Sequence, residues 1–187
     1  MNTISNALPA HLALLIDRAR IASRLKSLAA EIHADITAGE RPIAVVVLQG
    51  GFVFAADLLR ELPPDYPIDI AFLRCQSYGA ATYSSGKVLL LSDIDADIDL
   101  HGRTVLLIDD ILDTGHTLRF LADHFMRRGA ERVKLCVLLK RAANEGRAAI
   151  AADFAGFAIG SEFVVGYGLD HAGRYRNLPD LAALTSA

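Results

Sequence analysis

The stretch that most constrains what this chain can fold into is residues 103–118, RTVLLIDDILDTGHTL. Its apolar run, residues 105–108, is bracketed by polar residues and reads as a strand buried on both faces. That burial requires a sheet with helices on each side. Two carboxylates, Asp109 and Asp110, stand at the strand's exit. Two apolar residues follow, and Asp113-Thr114-Gly115-His116-Thr117 then leads into a helical pattern. A short loop from a strand's carboxyl end to a helix's amino end aims unpaired N–H groups one way, at the positive pole of the helix dipole. Such a loop cradles phosphate. A site built only for anions would not surround itself with three acids, so the carboxylates suit sugar hydroxyls or a divalent metal beside the phosphate. Helix capping alone would account for the Asp and Thr residues of the loop, but not for the acid pair.

Around this stretch the pattern is one of alternating helices and strands. Apolar residues from Leu12 to Ile36 recur at spacings of three and four, with Pro9 near the start and Gly39 beyond the end, and predict one amphipathic helix. Residues 43–48 form the next buried strand, ended by Gln49-Gly50-Gly51 and followed by a helix over 52–62 that Pro63-Pro64 stops. A strand over 68–75 leads into QSYGAATYSSG, residues 76–86, which has too little apolar area to anchor itself and is expected to be a mobile loop. A returning strand over 87–91 and an acidic connector over 92–102 follow. After the central motif, Leu118, Leu121, Ala122, Phe125 and Met126 share a helical face that ends at Gly129, and residues 132–139 form a further buried strand. The tail from Phe154 is apolar and Gly-rich, without a helical period. Strand, helix and strand in this order imply parallel crossovers and a doubly wound sheet. Ligands in such sheets bind beyond the strands' carboxyl ends, which places Gly50, residues 109–117 and Lys140 at one edge.

Length and composition narrow the classes. With 187 residues the chain suffices for one α/β domain and is short for two. A hydrophobic share of 52% with 22% charged residues predicts a packed core. The net charge of −3 argues against non-specific nucleic-acid binding. The amino end lacks a signal-peptide pattern and no apolar run reaches membrane-span length, so the expectation is a cytoplasmic protein with no membrane partner. Cys75 and Cys136 lie in strand-like runs, away from any metal-ligand spacing, and read as buried free thiols.

The central stretch closely resembles the phosphoribosyl-diphosphate binding motif of the type I phosphoribosyltransferases. With LQGGFVFAADLLREL, the CQSYG loop followed by SSGKV, VLLKR, and EFVVGYGLD with YRNLP, the resemblance spans roughly residues 12–180 and narrows to the hypoxanthine-guanine branch. It implies an α/β fold: a single domain with a central, mostly parallel doubly wound sheet. The resemblance adds a small hood from approximately residues 1–38 and 154–187, and a lid at 76–86. The implied activity joins hypoxanthine or guanine to phosphoribosyl diphosphate, giving IMP or GMP and pyrophosphate, with Mg2+. The implied partners are small-molecule substrates, with no nucleic acid, and the implied assembly is a homodimer or homotetramer.

Site roles follow from the same resemblance, position by position. Asp113, Thr114, Gly115, His116 and Thr117 would hold the 5′-phosphate, while Asp109 and Asp110 would accept from the ribose 2′- and 3′-hydroxyls. Asp113 matches the proton-handling residue near purine N7, and its side chain could equally shape the loop. Lys140 would donate to the 6-oxo group, and an ammonium has no acceptor for the amino group of adenine. Phe163 would stack on the base and Val164 offer backbone hydrogen bonds, although both are also ordinary core residue types. Asp170 matches a magnesium ligand, with Asp109 and Asp110 as further metal candidates. Arg176 matches a pyrophosphate contact, and a surface Arg or loop-capping Asp would look the same in sequence. Ser77 and Tyr78 lie on the lid, and Gln49 and Gly50 form the loop that approaches the diphosphate. Two departures stand out: Asp109 replaces the usual Glu, and Gln49 replaces the Lys of many relatives. The alternatives are a regulator that binds phosphoribosyl diphosphate to control transcription or RNA termination, and a phosphoribosyltransferase that prefers xanthine.

Overall fold

The computed structural model describes residues 8–77, 88–144 and 146–185. Tyr78 and nearly all of the expected lid lie outside the described residues. The central sheet is built from β2 (Ile43–Leu48), β3 (Asp69–Ser77), β4 (Val88–Ser92), β5 (Thr104–Leu112), β6 (Arg132–Arg141) and β7 (Phe154–Ile159), in the order β4-β3-β2-β5-β6-β7. All neighbours are parallel except the edge pair β3 and β4, which is antiparallel. A second, three-stranded antiparallel sheet orders β1 (Leu12–Ile16), β9 (Leu181–Leu184) and β8 (Val164–Val165).

Period-two alternation along the central strands divides the core into two layers. Ala44 and Val46 of β2, with Leu106 and Ile108 of β5, pack against Leu25, Leu28 and Ile32 of α1 (Arg18–Asp35) and against Phe54 and Leu58 of α2 (Phe52–Arg60). Their neighbours Val45, Val105 and Leu107 face Leu118, Leu121 and Phe125 of α3 (His116–Arg127) on the other side. Both faces of β2 and β5 are therefore covered, as the unbroken apolar runs require.

Four expectations are corrected. The helix expected from Leu12 is a strand followed by a helix. The consecutive apolar residues of β1 pair with β9 (Leu12↔Leu184, Ala13↔Ala183), and Asp17 starts α1 by accepting from the Arg20 amide at 2.8 Å. The second sheet takes less of the chain ends than expected, because α1 packs on the central sheet and β7 pairs with β6 as its last strand. Asp109 and Asp110 belong to β5 itself, which runs on to Leu112 because β6 still pairs with it there (Leu112↔Lys140). Cys136 is buried and free, as expected, but Cys75 is also free and only half-buried. Among the described residues no helix is long and apolar enough to cross a membrane.

The amino edge of the sheet is closed by charge. The Glu40 carboxylate accepts from the Thr104 hydroxyl at 2.7 Å and pairs with the Arg132 guanidinium, whose Nε donates to the same hydroxyl at 2.9 Å. Thr104 is the buried polar residue of this edge. These hydrogen bonds, Thr104's first and Arg132's second, hold the Glu40 carboxyl at about 2, below its ordinary 4.5. A depressed carboxyl pKa stabilises the fold above the unfolded value, and that stabilisation disappears as pH falls through the folded value. Glu40→Gln is therefore expected to lower Tm by roughly 2–4 °C at pH 7, a discounted figure for a partly exposed group. Thermal melts should show the gap narrowing as pH drops from 4.5 towards 2; a constant gap would remove the electrostatic account.

Candidate active site

At the carboxyl edge of the sheet, β5 outruns β2: the last residue of β5 that pairs with β2 is Ile108, and the strand continues through Asp109 and Asp110. The space beside that overhang is filled by the turn after β2. A Cβ on Gly50 would lie 1.6 Å from Oδ2 of Asp110, so only glycine lets this backbone meet the carboxylate. On its other side the Gly50 carbonyl would lie 2.3 Å from a Cβ on Gly168. Three segments far apart in sequence thus converge: the turn at 49–51, the end of β5, and the loop after β8. The peptide bond between Leu48 and Gln49 is cis.

The acid pair is held in an unfavourable setting. Asp109 Oδ1 accepts from the Asp110 amide at 2.9 Å. Burial, then the charge of Asp110, pushes the Asp109 carboxyl well above the usual carboxylate range. Burial raises Asp110 as well, against the hydrogen bonds it makes with Asp109 and the Ile111 backbone and the charge of Arg176. Two adjacent, desolvated carboxylates resist being charged together, and a ligand bringing hydroxyl donors or a cation relieves that strain.

Past Leu112 the chain turns through Asp113 and Thr114 into α3. Gly115 sits at the helix cap with φ +78°, a left-handed conformation. The Ala149 amide donates to the Thr114 carbonyl at 2.8 Å, and a Cβ on Gly115 would meet the Ala149 and Ile150 amides at 3.2 Å. No side-chain hydrogen bond caps α3, and an uncapped helix start of this kind leaves N–H groups that an anion can use. His116 and Thr117 open that first turn.

Asp113 and Lys140 line one cavity of about 210 Å3, together with Leu112, Arg141, Asn144 and Ile150. Gln49 and Arg176 line another of about 470 Å3, with Leu48, Phe52 and Phe72. Arg176 pairs with Asp170 Oδ1 at 2.6 Å and donates to the Gly168 carbonyl at 2.6 Å, and Asp170 Oδ2 accepts from the Gly173 amide at 2.8 Å. Phe163 exposes half of its surface and meets the His171 ring edge-on at 5.3 Å. Val164 is buried within β8, so its side chain is core and only its backbone could serve a ligand. Ser77 ends β3, at the same edge of the sheet. Tyr78 lies outside the described residues.

Two neighbours of Asp113 escape sequence reasoning. Asn144 donates to Asp113 Oδ1 at 2.6 Å, and Arg141 Nε lies 3.3 Å from Oδ2. Both lie about thirty residues from Asp113 and follow no spacing rule; the adjacency of Arg141 to Lys140 was the one available signal.

For a divalent metal, the chemistry of the carboxylate oxygens is right but the protein alone does not form a cage. Among the described residues no group of three or more His, Cys, Asp or Glu is arranged to hold one.

Comparison with known proteins decides the family. Residues 15–172 match the phosphoribosyl transferase domain family. The chain belongs to that family. It is 40% identical over 173 residues to the hypoxanthine-guanine phosphoribosyltransferase of Bacillus subtilis, covering 92% of this chain and 93% of that one. It is 43% identical over 162 residues to the enzyme of the same name from Streptococcus agalactiae, covering 86% of each. A bifunctional TilS/HprT protein of Listeria innocua is 42% identical over 91% of this chain, which spans 25% of that longer protein. Among solved structures, a hypoxanthine-guanine phosphoribosyltransferase from Bacillus anthracis superposes with a TM-score of 0.83 at 40% identity, over 92% of this chain and 98% of that one. A hypoxanthine phosphoribosyltransferase from Staphylococcus aureus gives 0.85 at 33% identity, over 94% and 92%. Within the family, the chain falls in the hypoxanthine-guanine branch.

The strained acid pair has a measurable consequence. A carboxyl whose folded pKa is raised loses stability as pH rises from its unfolded value, about 4, towards its folded one. Asp109→Asn is therefore expected to raise the Tm of the ligand-free protein, by more at pH 8 than at pH 4. It should also weaken phosphoribosyl-diphosphate binding about ten- to a hundredfold through loss of a charged hydrogen bond. Melts at the two pH values and calorimetric titration test both; an Asn variant that is less stable at pH 8 would contradict the strain.

Proposed function

We infer that the protein is a purine-salvage phosphoribosyltransferase, transferring the 5-phosphoribosyl group of phosphoribosyl diphosphate to hypoxanthine or guanine with release of pyrophosphate. The observation that carries this is the convergence of an acid pair, an uncapped helix N-terminus and a Gly-mediated turn at one sheet edge, in a chain of the hypoxanthine-guanine branch.

In this reading the N–H groups of residues 114–117 and the hydroxyls of Thr114 and Thr117 receive the 5′-phosphate, and Asp109 and Asp110 accept from the ribose diol. The diol supplies further donors to a carboxylate pair that burial and mutual charge leave unfavourably placed. Gln49, Gly50 and Arg176 face the diphosphate, with Gln49 contributing backbone and amide where a cation would otherwise stand. Ser77 and Tyr78 would close over it. Phe163 offers its exposed ring to the purine, the Val164 backbone lies beside it, and Lys140 donates to the 6-oxo group. As the bond from ribose C1′ to diphosphate oxygen breaks, its electron pair leaves with pyrophosphate and the purine N9 lone pair takes its place. Asp113 accepts the N7 proton that the purine must lose. Asp170 or the acid pair would hold magnesium, which would supply charge neutralisation for the leaving group.

The working location is the cytoplasm, where such substrates are made, and the working form a homodimer or homotetramer. Supporting self-association is an uncovered part of the sheet. Ile70 and Phe72 share the face of Ala44 and Val46, yet among the described residues no helix covers them. Together with Phe52, Leu89 and Leu91 they leave five large apolar side chains about half-exposed. Sedimentation of the wild type should give a dimer or tetramer, and Phe72→Asp should shift it to monomer; a monomeric wild type would end this part of the reading.

The activity itself is tested by offering hypoxanthine, guanine, xanthine and adenine in turn with phosphoribosyl diphosphate and Mg2+. Monophosphate should form from hypoxanthine and guanine, and Lys140→Ala should reduce their use about tenfold or more, without comparable loss of phosphoribosyl-diphosphate binding. Preferred turnover of xanthine or adenine would overturn the base assignment.

A further inference from the structure

We propose that Arg141 is a positioning residue that joins the Asp113 carboxylate to the chain segment carrying Phe163, so that proton acceptor and stacking surface are held in one frame. This inference rests on the reading of Asp113 as the group that accepts the purine proton. It concerns how that group is held.

Arg141 is the last residue of β6, directly after Lys140. Its Nε lies 3.3 Å from Asp113 Oδ2, while its NH1 donates to the Gly160 carbonyl at 2.8 Å and to the Glu162 carbonyl at 3.2 Å. One planar fork therefore spans two segments that have no strand pairing with each other, the exit of β5 and the turn between β7 and β8. A lysine has a single point charge and cannot hold such a geometry. The guanidinium is largely enclosed, with its side chain 18% exposed, whereas the Asp113 side chain is 53% exposed. Left to itself, a carboxylate that open to solvent would sample several rotamers.

The second donor completes the restraint. Asn144, in the short 3-10 turn Ala142–Asn144, donates to Asp113 Oδ1 at 2.6 Å. Asp113 Oδ1 thus accepts from Asn144 while Oδ2 is ion-paired with Arg141, and each oxygen keeps a lone pair for a ligand proton. The same stretch then steadies the next residues of the loop through the Ala149 amide on the Thr114 carbonyl. On the far side of the link, Glu162 immediately precedes Phe163, whose carbonyl accepts from the Leu184 amide at 2.9 Å. The stacking ring is therefore anchored to the second sheet and, through Arg141, to Asp113. A proton acceptor works only within hydrogen-bond reach of its proton, and misplacement by about 1 Å can lower a rate about a hundredfold.

The test is steady-state kinetics of Arg141→Gln, Arg141→Lys, Asp113→Asn and the double variant Arg141→Gln with Asp113→Asn. Arg141→Gln is expected to lower kcat about ten- to a hundredfold and to raise the KM for hypoxanthine, leaving the KM for phosphoribosyl diphosphate within about twofold. Arg141→Lys should recover part of the lost kcat by restoring charge, and the double variant should be no slower than Asp113→Asn alone, because both changes act on one group. A general folding defect would instead move both KM values and add to the Asp113 loss. Wild-type kinetics for Arg141→Gln alongside an inactive Asp113→Asn would overturn this inference alone, and an active Asp113→Asn would overturn the reading beneath it. If Arg141→Gln does not fold, Arg141→Lys carries the test: it keeps the charge but not the fork, so it should lower kcat several-fold and raise the KM for hypoxanthine alone, and wild-type kinetics there would equally refute the link.

Discussion

Asp109 and Asp110 are carried on the end of a strand that is buried on both faces, and most of the site follows from that placement. β5 is gripped by β2 on one side only as far as Ile108 and by β6 on the other as far as Leu112. Its acids are therefore rigidly presented, desolvated and adjacent, which raises the proton affinity of both. Gly50 must be bare for the β2 turn to meet Asp110, and Gly168 must be bare for the C-terminal loop to meet Gly50. An edge assembled this way holds two carboxylates where charging both is unfavourable, and in the proposed reading a polyhydroxyl or cationic ligand relieves it.

The opposite edge shows the complementary arrangement. There Glu40, Thr104 and Arg132 satisfy one another, and Arg103 pairs with Asp69 at 2.5 Å next to them. Charges at the amino edge are neutralised by protein partners, while the acid pair at the carboxyl edge has, among the described residues, no cationic side chain hydrogen-bonded to it. The sheet is thus closed at one end and receptive at the other, the polarity that parallel strands with helices on both faces impose.

The core strands and the strand-to-helix turn at 113–116 were legible because local rules decide them. Uninterrupted apolar runs mark β2, β5 and β6, and the Asp-Thr-Gly phrase marks a strand-to-helix turn whichever residues lie elsewhere. The start of the chain was misread because Leu12, Leu15 and Ile16 satisfy a helical period as well as a strand's need for apolar residues. Pairing with β9, about 170 residues away in sequence, settled the choice. The end of β5 was drawn too short for a similar reason: carboxylates look like a strand's exit, and only the continued ladder with β6 shows that they lie within it.

The sequence by itself determined the doubly wound core, the acid pair, the start of α3 and the branch of the family, since each is written in short local phrases. Tertiary structure alone decided which side chains restrain the reactive ones. Asn144 and Arg141 meet Asp113, Arg176 meets Asp170, and Gly50 lies between Asp110 and Gly168. These contacts join loops whose relative positions are set by strand order and register across the whole sheet. A hydrogen bond depends on tenths of an ångström between such loops, and no spacing along the chain encodes that distance.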